Sequence, residues 1–104
     1  MIRIKKGVKI KGVQPELMLA AQIVDSIYTS YNNAECVITA ARDGTHMTKS
    51  FHYVGYALDF RTRHIPIGWR EKLKDQIARA LGDEFDVVLE KTHIHVEFDP
   101  TQPI

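Results

Sequence analysis

His93 and His95 stand two residues apart in the alternating run His93-Ile94-His95-Val96-Glu97-Phe98. In a strand, residues two apart project from one face. The spacing therefore predicts two neighbouring imidazoles, with Ile94 and Val96 turned into a core. Imidazoles buried without partners are costly. A shared metal resolves that cost, as does one metal ligand beside one catalytic base; the ordinary alternative is a solvated strand face. A second group lies upstream. His52 closes a polar loop, Gly55 permits a tight bend or a close backbone approach, and Asp59 sits between Leu58 and Phe60. A carboxylate in an apolar strand needs a cation or several donors, and Arg61 or Arg63 would be an ordinary partner for it. Neutral imidazole nitrogen and carboxylate oxygen are zinc ligands, and a catalytic zinc keeps three protein ligands with one position open. His52 and Asp59, with a histidine of the His93-x-His95 pair, would make up such a set.

The stretch Ser50-x-His52-x-x-Gly55-x-Ala57-x-Asp59, followed by His93-x-His95, resembles the signature of the zinc D-Ala-D-Ala carboxypeptidases. That family is grouped with the lysostaphin-type peptidases and the zinc domain of hedgehog signalling proteins. The resemblance covers about residues 36–98, and Arg42 fits an arginine typical of the family before the first motif. It implies a small α+β domain with an antiparallel sheet and helices packed on it. It also implies zinc on His52, Asp59 and His95, a base at His93, an arginine at Arg42 that meets the substrate carbonyl or carboxylate, and Ser50 beside the substrate. One alternative register remains. Other branches carry an acidic residue three positions before the final ligand, where this chain has Thr92 relative to His95; Glu90 holds that place relative to His93. His95 as ligand with His93 as base is preferred, and His93 as ligand with Glu90 as base is the rival.

Zinc lowers the pKa of a bound water to about neutral and polarises a scissile carbonyl. A neighbouring base moves the proton, and a cation such as Arg42 stabilises the developing oxyanion. The activity implied is hydrolysis of a peptide bond in peptidoglycan stem peptides or cross-links. A phage or prophage cell-wall lytic enzyme is one setting. A zinc-binding structural or virion-associated module without catalysis and a dipeptidase on free D-Ala-D-Ala are the alternatives.

The elements that must position these residues are legible from periodicity. Pro15-Glu16 opens a helix, with Leu17, Ala20, Ala21, Val24, Ile27, Tyr28 and Tyr31 on one face and Asn32-Asn33 as its stop. Pro66 and Gly68 precede a second helix with the stripe Trp69, Leu73, Ile77, Ala80 and Leu81, ended by Gly82; Trp69 is expected in the core. Cys36–Ala41, Tyr56–Phe60, Phe85–Leu89 and His93–Phe98 read as strands, with Glu90-Lys91-Thr92 joining the last two. Residues 1–13 fit a small hairpin or an irregular edge strand, and residues 42–49 a polar loop. Helices and strands that do not alternate as strand-helix-strand units point to α+β with an antiparallel sheet.

At 104 residues the chain suits one domain, with 44% hydrophobic and 26% charged residues and a net charge of +1. That balance gives no reason to expect a nucleic-acid or acidic-membrane partner. The lone Cys36 lies in an apolar run and reads as a small buried hydrophobe. No signal peptide or membrane-length apolar run is evident, so a cytoplasmic product is expected, reaching the wall only when another factor releases it. His46 reads as a solvated loop residue, His64 as surface, Glu97 as a solvated strand end, and Lys91 and Asp99-Pro100 as turn residues.

Overall fold

The structure is a computed structural model that describes residues 1–41 and 56–99. Arg42, His46, Ser50, His52, Gly55 and Pro100 lie outside the described residues. Five strands and two helices follow in the order β1 (Ile2–Ile4), α1 (Pro15–Thr29), β2 (Cys36–Ala40), β3 (Ala57–Arg61), α2 (Ile67–Leu81), β4 (Phe85–Leu89) and β5 (His93–Phe98). They form one sheet in the order β1-β2-β3-β5-β4.

This is the expected α+β class, but the sheet is mixed rather than antiparallel. β1 pairs with β2 in parallel, Ile2 opposite Cys36, while every other pair is antiparallel. The difference has a topological cause. Parallel neighbours need a crossover connection, usually a helix, and α1 is that crossover, so β1-α1-β2 is a strand-helix-strand unit, contrary to the expected absence of such units. α2 likewise joins β3 to β4, and β5 fills the place between them by pairing antiparallel with both.

Proline in the first turn starts α1, and Asn32 and Asn33 follow its end with φ of 57° each. Asparagine tolerates that left-handed conformation better than most residues. Gly82 ends α2 with φ of 88°, where a Cβ would be strained. Leu17, Ala21, Val24 and Tyr28 of α1 join Leu73 and Ile77 of α2 in one core cluster with Cys36, Ile38, Leu58, Phe60, Ile94 and Val96. The strand members alternate in sequence, so the helices cover one face of the sheet. Thr39, Asp59, Arg61, His93, His95 and Glu97 carry the opposite parity and project from the other face. Cys36 is fully buried and its thiol is pushed up to about 12 by burial, consistent with an inert core residue.

Two expected core positions are exposed. Trp69 is 46% exposed in the first turn of α2, where its ring packs 6.0 Å from that of Tyr31 at the margin of the core, and Ala80 is exposed too. The buried stripe of α2 is accordingly shorter than its apolar pattern: Leu73 and Ile77, with half-buried Leu81. Gly68, expected before the helix, lies inside its first turn.

Candidate metal centre

The neighbouring strands β3 and β5 bring the residues of that second face together by register. Asp59 of β3 stands opposite His95 of β5, and Arg61 opposite His93. Cross-strand partners on one face hold their Cβ atoms roughly 4.5–5.5 Å apart, which is reach enough for direct contact. The Asp59 carboxylate spans both histidines. Its Oδ1 lies 2.8 Å from His95 Nδ1, and its Oδ2 lies 3.5 Å from His93 Nε2. Asp59 is 8% exposed, with fully buried Leu58 and Phe60 on either side in the chain. Among the described residues these imidazoles pair with it, and neither Arg61 nor Arg63, the ordinary alternative partners, does so.

His95 is held from its other edge as well. Nε2 donates to Glu97 Oε1 at 3.0 Å. Glu97 therefore is not a free, solvated strand end: it follows His95 by two residues, shares its face and fixes its ring. The i, i+2 spacing carried that signal. A ring between two carboxylates favours its charged form. The Asp59 hydrogen bond raises the His95 pKa to about 9, against the opposing effect of burial and with a further contribution from Glu97. His93 has Thr92 Oγ1 3.2 Å from Nδ1 and Glu90 Oε2 3.9 Å from Nε2.

The His95 shift has a testable consequence for stability. The folded pKa lies above the unfolded value of about 6.5, so the contribution is complete below about pH 6.5 and is lost as pH rises through about 9. In chelator-treated protein, the thermal midpoint is expected to fall across that window, and His95→Gln is expected to flatten the fall. A wild-type midpoint indifferent to pH between 6.5 and 9 would show that the Asp59–His95–Glu97 chain is not formed.

The donor types suit zinc: one carboxylate and two imidazoles. Ligands bonded at about 2.0–2.1 Å in a tetrahedron lie about 3.3 Å apart, so the 2.8 Å between Asp59 Oδ1 and His95 Nδ1 would have to open slightly to admit the ion. A metal-ligating histidine almost always donates its second N–H to a carboxylate, carbonyl or water. Glu97 on Nε2 would leave Nδ1, the nitrogen facing Asp59, to the metal. Among the described residues no group of three His, Cys, Asp or Glu side chains is disposed to hold a metal ion. Asp59 and His95 are the members of the expected ligand set that lie among the described residues; the third, His52, lies outside them together with Arg42 and Ser50. His64, expected at the surface, is exposed and donates from Nε2 to the Glu35 carbonyl at 2.6 Å.

Comparison with protein families, with characterised proteins and with solved structures found no significant match to this chain. Among the described residues, no helix is long and apolar enough to cross a membrane.

Proposed function

We propose that the chain is a zinc-dependent peptidase of the zinc D-Ala-D-Ala carboxypeptidase type, acting on a peptide bond of peptidoglycan stem peptides or cross-links. The observation that carries the reading is the Asp59–His95 pair at 2.8 Å on the sheet face opposite the helices, with Glu97 holding the far edge of the ring. The resemblance to the zinc D-Ala-D-Ala carboxypeptidases then nominates His52 as third ligand, Ser50 and Arg42 as substrate contacts, and peptidoglycan as the substrate. Zinc would supply an activated water and a polarised carbonyl. His93 lies beside Asp59, on the same face as His95, and is the group placed to accept and return a proton. Asp59 and His95 orient one another, and Glu97 holds the ring tautomer. Arg42 contributes positive charge toward the developing oxyanion.

A second reading has one specific observation in its favour. Both nitrogens of His95 are engaged by carboxylates, a network that satisfies the ring without a metal. On that reading the domain is a structural or virion-associated module without catalysis. Incubation with purified peptidoglycan separates the two. Zinc-loaded protein is expected to release new amine termini, and a chelator is expected to abolish the release. No new termini from the zinc-loaded sample would remove the peptidase reading; release of D-Ala from free D-Ala-D-Ala alone would replace it with a dipeptidase.

A further inference from the structure

Beside Asp59, on the β1 side of the sheet, a cleft of about 270 Å³ is lined by Lys5, Thr39, Asp59, Arg61, Arg63 and Thr92, among others. Three of these residues are cations, and none of the three forms an ion pair with a described residue. Among the described lining residues the one carboxylate, Asp59, is engaged by His95 and His93. Like charges gathered on one wall repel, and such a wall is favoured when an anion completes it.

The backbone that carries these cations is pinned from behind. Tyr28, fully buried, donates its hydroxyl to the Arg61 carbonyl at 2.7 Å. Arg70 donates from Nε to the Ile65 carbonyl at 2.8 Å and from Nη2 to the Arg63 carbonyl at 3.3 Å. Thr62 N–H donates to the Thr92 carbonyl at 3.1 Å, and Lys5 N–H to the Ile38 carbonyl at 2.9 Å. Side chains on fixed backbone lose less freedom when a ligand arrives. Guanidinium groups present planar forks that match carboxylate oxygens.

We propose that this cleft is an oxyanion subsite that takes a carboxylate carried by the ligand of the Asp59–His95 site. The proposal rests on the peptidase reading for the peptide nature of the ligand, whereas the charge of the cleft is independent of zinc. It places a free carboxylate of the ligand on the Arg61–Arg63 side of Asp59, in addition to any group met by Arg42. A ligand with its carboxylate amidated is therefore discriminated against.

The test uses the full chain in excess chelator, so zinc binding and hydrolysis do not enter it. N-acetyl-dialanine, its C-terminal amide and inorganic phosphate are titrated in separate arms, with the arginine Nε–H and backbone amide signals followed by NMR. The acid is expected to shift the Arg61 and Arg63 side-chain signals and the amides of Thr39 and Thr92, at least tenfold more tightly than the amide. Arg61→Gln and Arg63→Gln are each expected to weaken the acid at least fivefold, with unchanged β3 and β5 amide signals as evidence of folding. Equal binding of acid and amide, or shifts that avoid these residues, would overturn the proposal. Phosphate binding tighter than the acid would also overturn it, marking a site for free phosphate. If the acid binds here while zinc fails to bind, the subsite stands and the peptidase reading falls.

Discussion

Asp59→Asn is expected to weaken zinc binding by at least about 100-fold, and hydrolysis with it. The size follows from what the substitution removes. Asparagine keeps the shape of the side chain but loses the charge that a divalent cation needs, and it leaves His95 without the carboxylate at 2.8 Å. Loss of an outer partner of a metal ligand typically costs 10–100-fold; loss of a ligand itself exceeds that. Glu97→Gln supplies the internal scale, because Glu97 touches His95 at 3.0 Å on the edge turned away from Asp59. It is expected to fall within about 10–100-fold. Calorimetric zinc titrations of the two variants and the parent read the order directly. A smaller loss for Asp59→Asn than for Glu97→Gln would reverse the roles assigned to the two carboxylates.

The second large effect is on stability. Phe60 is fully buried on β3, between β2 and β5, and its side chain lies in the cluster that joins the sheet to both helices. Phe60→Ala removes a large apolar surface and leaves a cavity, at a cost of about 3–5 kcal/mol. A domain of this kind has roughly 5–15 kcal/mol in total. With a urea slope of about 1–3 kcal/mol/M, the unfolding midpoint is expected to drop by about 2 M. Val88→Ala, on an exposed position of β4, is expected to stay within about 0.5 kcal/mol. Phe60 follows Asp59 in the chain, so its loss also loosens the strand that aims the carboxylate. Equal midpoints for Phe60→Ala and Val88→Ala would contradict the assignment of faces.

The site was legible where its geometry depends on parity. Strand alternation places His93 and His95 on one face and Ile94 and Val96 in the core, and the structure has them so. The same rule, carried two residues further, reaches Glu97 on β5 and Arg61 on β3. Parity gives Glu97 a face but not a rotamer, and its bond to His95, which makes it other than the expected solvated strand end, depends on the rotamer. Arg61 or Arg63 is the ordinary alternative to a metal for a buried carboxylate that needs a cation; the histidines of β5 meet that need first, through a register that no local pattern specifies. The parallel pairing of β1 was missed for a similar reason. Three residues of strand carry no directional signal, and the direction comes from the α1 crossover. Trp69 shows the limit of a helical stripe, which marks a face but not how far along the helix the core extends.

The central claim is a zinc ion held by His52, Asp59 and His95, and the ring nitrogens of the histidines report on it most directly. Zinc is added to one equivalent while long-range ¹H–¹⁵N NMR signals of the imidazoles are followed, with the parent and Asp59→Asn compared. The account predicts that His52 and His95 move to metal-bound shifts together at one equivalent, that His95 does so through Nδ1, and that His93 keeps a metal-free ring. No response at His52 and His95, or binding through His93 in place of His95, would contradict it.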